Sequence, residues 1–419
     1  MCDIQDTEAK NRLGDKTIPV TEAVGTVLAH DITEIKKDEF KGRAFKKGHV
    51  IKKEDITHLQ KLGKDNLFVL NIRPDDMHED EAAYALAKAL MGNGVAIEGE
   101  PKEGKINIIA ERDGLLKVDK NTLTQFNMLG DVMCATLHSN TVVKKGQLVG
   151  GTRAIPLVVK KSIVEEAVMI CKKIQNSKFK VQDTPSPDPS HEGRGSLLSS
   201  LPTGGGGQGW GGIIEVKEIK NLKAGIVITG NEVYYGRIKD AFAPVITKKM
   251  QEHGCEIVGI YYAPDDEALI EARLRELVEA GAELLITTGG MSVDPDDVTR
   301  FAIRKLGAGD IVYGSAVLPG AMFLVAYLER GQDRMQDTGY MMHDEKNLES
   351  CILNRASFTI PVLGIPACGM YHKTTIFDLI LPRVLAGEQI GRKELAEFGH
   401  GGLCLNCKKC SYPVCPFGK

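Results

Sequence analysis

At 419 residues the chain is too long for one ordinary hydrophobic core and points to two to four domains. Its 42% hydrophobic and 26% charged residues suit a folded, water-soluble protein, and 53 basic against 56 acidic residues leave a formal charge of −3 that favours no nucleic-acid partner. It has no run of eighteen apolar residues and no apolar signal core near the start, so neither membrane spanning nor secretion is expected and the protein is read as cytoplasmic.

The first sixteen residues are polar. From 17 to 92 the pattern predicts a small α+β domain: a strand, a turn near 22–25, a paired strand, an amphipathic helix and a closing strand. Residues 73–91 read as one helix with Ala83, Leu86 and Leu90 on its packed face. Strands alternate with glycine turns from 93 to 160, a small β-rich domain, and a helix over 162–173 leads out of it. Between 184 and 212, eighteen of twenty-nine residues are proline, glycine or serine, which predicts a disordered insert.

Residues 223–390 read as an α/β domain. Strands near Ile226, Val258, Leu285 and Val312 alternate with helices starting near Ala243, Asp266 and Pro295, the pattern of a sheet with helices on both faces. A second insert is expected over 330–359, and a helix over 371–385. Two turns stand out. Residues 224–236, AGIVITGNEVYYG, are a strand ending at Thr229 and Gly230, followed by Asn231 and Glu232, with Asp240 close by. Residues 284–307, LLITTGGMSVDPDDVTRFAIRKLG, repeat the plan with Gly289 and Gly290 between strand and helix. Paired glycines let main-chain amides approach a ligand, and a helix start favours phosphate. Asp294, Asp296 and Asp297 would repel a bare phosphate unless a divalent cation stood between them, so phosphate with Mg²⁺ is one reading. The other is plain capping, with Asp294 as N-cap, Pro295 first in the helix and Asp297 in a capping box.

His372, Lys373, Thr374 and Thr375 precede the 371–385 helix body and suit either a third phosphate contact or a cap. The tail, 400–419, carries Cys404, Cys407, Cys410 and Cys415, spaced C-x2-C-x2-C-x4-C-P. That is one residue from a bacterial ferredoxin run, and a tetrathiolate zinc site is the alternative. Four such cysteines in a chain without a signal segment read as metal ligands rather than disulfides.

The order ITGNE, GRIKD, LLITTGGMSVDPDDVT, LPG at 318–320 and LGIP at 363–366 is similar to the molybdopterin-binding domain of the MoeA/MogA family over about 223–387. VTEAVGTVLAHDI at 20–32 resembles the opening of MoeA proteins, although FKGRAFKKG at 40–48 stands where that family has a loop bearing proline and aspartate. The resemblance implies a three-layer molybdopterin-binding domain that inserts molybdate into adenylated molybdopterin with release of AMP, assisted by Mg²⁺. It further implies a homodimer and a molybdoenzyme that receives the product. Carried over by position, Glu232 matches the acid of the family's TGDE motif and Asp297 the aspartate after its GG-x-S, and with the nearby Asp240 they are the expected catalytic acids. Thr229, Gly230, Asn231, Gly289, Gly290, Ser292, Pro319, Gly320 and Pro366 hold the pterin, and Asp294 with Asp297 hold Mg²⁺.

This sequence departs from the family at Asn231, where TGDE has an aspartate. It departs again at Ala321 and Met322, where a lysine-proline pair is usual, and at Ala367, Cys368 and Gly369 in place of glycine-asparagine-proline. Two alternatives follow: a carrier that binds molybdopterin without turnover, with the cysteine tail as a redox or docking element, and a nucleotide pyrophosphatase of the CinA kind.

Overall fold

A computed structural model describes residues 15–26, 28–29, 31–36, 40–46, 49, 51–70, 74–178, 212–291, 298–329 and 359–419. The expected inserts lie almost wholly outside these residues, and so do Ser292, Asp294, Asp296 and Asp297. The chain divides into one unit of residues 1–139 and 143–217 and another of residues 140–142 and 218–419.

In the first unit, Asp15–Pro19 pairs antiparallel with Asn66–Leu70. Val20, Leu28, Ile51, Leu59 and Leu67 bury a small core between that pair, the helix Asp55–Lys61 and the hairpin of Ile32–Lys36 with Phe40–Phe45. A second core forms where helix Glu79–Leu90 lays Ala82, Leu86 and Leu90 against a four-stranded sheet. The single helix expected over 73–91 is corrected at its start: Asp76–His78 is a strand paired with Val158–Lys160, and the Lys160 ammonium binds the buried Asp76 carboxylate. His78 then caps the helix by accepting from the Asp80 amide at 3.1 Å.

The second unit holds six strands and seven helices among the described residues. In chain order they are β1 Lys223–Thr229, α1 Asn231–Tyr234, α2 Phe242–Glu252, β2 Glu256–Ala263, α3 Glu267–Glu279, β3 Leu284–Thr288 and α4 Thr299–Lys305. There follow β4 Gly309–Tyr313, β5 Leu324–Glu329, β6 Thr359–Ile365, α5 Cys368–Tyr371, α6 Ile376–Leu385 and α7 Arg392–Glu397. The sheet order is β2-β1-β3-β6-β5-β4. The first four strands run parallel, and β5 and β4 close the edge antiparallel.

Continuous apolar runs in β1 and β3 are what a strand covered on both faces requires. Ile226 and Ile228 pack on one face with Phe242, Ile246 and Met250 of α2 and Ile376 and Ile380 of α6. Val227 and Leu285 pack on the other with Ile270, Leu274 and Leu277 of α3 and Ile303 of α4. The result is a sheet between two helical layers. The helix expected over 371–385 is two pieces, because Thr375 breaks it: its hydroxyl accepts from the Phe377 amide while Asp378 accepts from the Thr375 amide, a capping box that starts α6 afresh.

Candidate functional site

The chain leaves β1 for β2 on one side and then crosses to β3 on the other, so the strand order reverses between β1 and β3. At such a switch point the two loops leaving the carboxyl ends diverge and open a crevice. A cleft of about 550 Å³ lies there, lined by Thr229, Gly230 and Glu232 from the first turn and by Gly289, Gly290 and Met291 from the second. Pro366 after β6 closes one side.

Buried threonines lock the two turns together. The Thr229 hydroxyl donates to the Thr288 carbonyl at 2.7 Å and lies 3.2 Å from the Thr299 hydroxyl. Since its proton is committed to Thr288, Thr299 is the donor in the second contact. The glycines make this approach possible. Gly289 and Gly290 have φ of 79° and 56°, and a Cβ on Gly290 would stand 2.2 Å from the Thr299 hydroxyl oxygen. Gly230, at φ 135°, turns the chain sharply so that Glu232 is carried back over it.

The expected residues meet different fates. Thr229, Gly230, Glu232, Gly289, Gly290 and Pro366 share the cleft. Asn231 stands beside it, its amide donating to Asp265 at 2.9 Å while its side-chain oxygen accepts from the Asp265 amide at 3.3 Å. Asp240 sits behind the wall. Its carboxylate accepts from the Phe242 amide at 2.7 Å and the Ala243 amide at 3.2 Å, capping α2, and from the Tyr262 hydroxyl at 3.1 Å. Burial, and then this carboxylate, raises the Tyr262 phenol above its ordinary range. Pro319 and Gly320 form a turn pressed on the start of α6, where a Cβ on Gly320 would meet Ile376 at 2.4 Å. Ser292, Asp294 and Asp297 lie outside the described residues.

Two charged residues without an expected role also line the cleft. Asp265 follows the carboxyl end of β2, and Lys239 follows the first turn. The rule that ligands gather at strand ends would have flagged Asp265 once β2 was recognised. Lys239 stands inside the GRIKD stretch that carries the resemblance, where the neighbouring Asp240 rather than the lysine has the expected role. Another part of the wall is apolar: Ala321, Met322, Ala367 and Cys368, four of the six positions that depart from the family pattern, all line it. Burial holds the Cys368 thiol above the usual range, which keeps it protonated and uncharged.

The arrangement can hold an anionic ligand by main-chain amides at Gly289 and Gly290 with the Lys239 cation at the rim, while the Gly230 amide is committed to the Ala263 carbonyl at 3.2 Å. Glu232 and Asp265 are the carboxylates on the cleft among the described residues. Mg²⁺ commonly takes one or two protein carboxylates and fills its remaining positions with substrate phosphate and water. His372, Lys373 and Thr374 do not reach this cleft; they line a second cavity with the four tail cysteines.

Residues 225–386 match a family described as "Probable molybdopterin binding domain", and residues 17–71 match a domain of unknown function. A CinA-like protein of Mycobacterium avium is 37% identical over 226 residues, which cover 48% of this chain and 52% of that one. A CinA-like protein of Mycobacterium tuberculosis is 44% identical over 92 residues, 22% of this chain and 21% of that one. The chain spans about half the length, or less, of these curated relatives. Among solved structures, the tungsten cofactor synthesizing protein MoaB from Pyrococcus furiosus is 17% identical, covering 40% of this chain and 99% of that one with a TM-score of 0.29. Residues 225–386, which carry the cleft, are therefore similar in sequence to molybdopterin-binding domains, and the chain is similar over part of its length to CinA-like proteins.

Proposed function

We propose that the cleft binds molybdopterin in its adenylated form and that the protein acts in molybdenum cofactor biosynthesis, inserting molybdate with release of AMP. The observation that carries this reading is the convergence of two glycine turns, Thr229-Gly230 and Gly289-Gly290, on one crevice with Glu232, Asp265 and Lys239 around it. Backbone donors and a cation suit the phosphates, and the two carboxylates suit Mg²⁺, whose chemistry when bound is to neutralise charge developing on the leaving AMP. In this reading Glu232 and Asp265 orient the metal and Lys239 holds the phosphate end. Thr229 acts through the fold, keeping the turns in register. Asp294 and Asp297, which follow Gly290 in the sequence, would add further carboxylates.

A second reading is favoured by the apolar wall at Ala321, Met322, Ala367 and Cys368. A site that lacks the usual lysine there can hold the pterin without turnover, and the protein would then carry the cofactor to a molybdoenzyme. Purified chain mixed with adenylated molybdopterin, molybdate and Mg²⁺ separates the two. AMP release that Glu232→Ala abolishes supports the transferase; tight pterin binding without AMP supports the carrier. Hydrolysis of ADP-ribose with no affinity for the pterin would replace both with a CinA-type pyrophosphatase.

A further inference from the structure

The cysteine tail is not used by the pterin cleft, and the cavity it lines is separate. Cys404, Cys407, Cys410 and Cys415 all border a space of about 180 Å³, closed on the domain side by Thr374 and Phe417.

The segment that carries the thiols packs Cys404, Tyr412 and Cys415 against the domain core and leaves its other apolar side chains exposed. Leu403, Leu405 and Val414 are 64%, 77% and 90% exposed, and no helix or strand runs through 403–416. Its two ends are nevertheless tied down. The Leu318 amide donates to the Gly402 carbonyl at 2.8 Å and the Cys404 amide donates back to the Leu318 carbonyl at 2.8 Å, which stitches the start of the segment to the loop before Gly320. At the other end Phe417 is 4% exposed, and the Tyr412 hydroxyl donates to the Asp378 carbonyl at 3.2 Å. A loop clamped at both ends around an open space lined by four thiols is what a metal cross-link completes when a core cannot.

The spacing of the thiols bears on which metal. Tetrahedral zinc with Zn–S bonds of about 2.3 Å needs its sulfurs roughly 3.8 Å apart. An iron–sulfur cluster spreads its four thiolates around a larger body, each on its own iron, and the C-x2-C-x2-C triplet with Cys415-Pro416 is one residue from a ferredoxin run. We infer that Cys404, Cys407, Cys410 and Cys415 ligate a [4Fe–4S] cluster in this cavity, adjacent to the pterin cleft. Each thiol gives up its proton on binding iron. The Thr374 hydroxyl, 3.5 Å from the Cys410 sulfur, then donates to the thiolate, and Lys373 offsets the negative charge of the four sulfurs. Tyr371 stands in the wall of both cavities, so cluster and pterin would share one side chain between them. The inference rests on the tail alone and survives or fails independently of what the cleft binds.

The test is anaerobic purification of the full chain, with reconstitution by ferrous iron, sulfide and a thiol reductant. Expected are about four iron and four acid-labile sulfide per chain, a broad visible absorption that dithionite bleaches, and a paramagnetic signal in the reduced sample. Cys404→Ser and Cys410→Ser should each lose more than half of that iron and sulfide while keeping the wild-type circular dichroism. Where a variant does not fold, the metal and sulfide content of the wild-type chain decides. One zinc without labile sulfide, a colourless chain after reconstitution, or serine variants that keep the full iron and sulfide would each overturn the assignment.

Discussion

The hydroxyl oxygens of Thr229 and Thr299 stand 3.2 Å apart in the buried floor beneath the two glycine turns, although the residues are seventy positions apart in sequence. This pair decides how far apart Gly230 and Gly290 are held, and so the width of the cleft. Thr229→Val keeps the shape and removes the hydroxyl that serves both Thr288 and Thr299. It should lower stability by about 1–2 kcal/mol and weaken pterin binding, since Thr229 both ties the turns together and lines the cleft. Urea denaturation and a ligand titration on the same variant measure both.

Gly290→Ala is expected to cost more, because it adds a collision to an unfavourable backbone. At φ 56° an L-residue pays about 1 kcal/mol, and the new methyl would press on Thr299 for about 1–3 kcal/mol more. Gly281→Ala is the control. Its φ is 89° but nothing lies within 4 Å of the added carbon, so it should lose only the backbone part. Equal losses at the two positions would mean that the close approach of the turns contributes nothing.

On the transferase reading, Glu232→Gln and Asp265→Asn remove charge from the cleft while keeping shape, and the amide oxygen of Asn can still accept from Asn231. AMP release should fall by about a hundredfold or more, and the Mg²⁺ concentration needed for half-maximal rate should rise. Pterin affinity without Mg²⁺ should change little or improve. Steady-state rates across a Mg²⁺ series make the check.

Lys239 lines the cleft, is exposed, and has no ion pair among the described residues. Lys239→Gln should weaken the phosphorylated pterin about fivefold at low salt, close to 1 kcal/mol, and much less at 1 M salt where the attraction is screened. Ala321→Lys, which restores a cation on the apolar wall, should tighten binding by a similar factor. A gain in AMP release with it would mark the missing lysine as the reason for slow turnover. Fluorescence quenching of the pterin at two salt concentrations reads both variants.

In the other unit, burial pushes the thiols of Cys134 and Cys171 up to about 12. The unfolded thiols ionise near 9, so the folded values are raised. Their contribution to stability is complete below pH 9 and is lost as pH climbs toward 12. Each thiol should cost about 1 kcal/mol by pH 10. Denaturation at pH 8 and pH 10 should show the drop in the wild type and a smaller one in the Cys134→Ala, Cys171→Ala double variant. In native protein at pH 8 without metal, iodoacetamide should label the exposed Cys407 and Cys410 and spare these two.

Much of the cleft was legible in the chain because its signals are local. Gly230, Gly289 and Gly290 follow apolar runs at once, and the apolar runs themselves say that the strands are covered on both faces. The tail was legible for the same reason, since four cysteines within twelve residues need no partner elsewhere to be noticed. Asp240 shows where local reading ran out: a carboxylate near a ligand motif and a carboxylate capping a helix look alike until the Phe242 and Ala243 amides are seen to point at it.

The sequence by itself determined the turns, the alternation of strand and helix, and the thiol spacing, all set by conformational preference over a few neighbouring residues. Only the tertiary structure decided that Asp265 and Lys239 join Glu232, because that depends on β1 lying between β2 and β3. Asp76–His78 became a strand rather than a helix turn because Val158–Lys160, some eighty residues away, offered its backbone. Strand order and long-range pairing are chosen by the burial of whole faces, and no short stretch of sequence carries that sum.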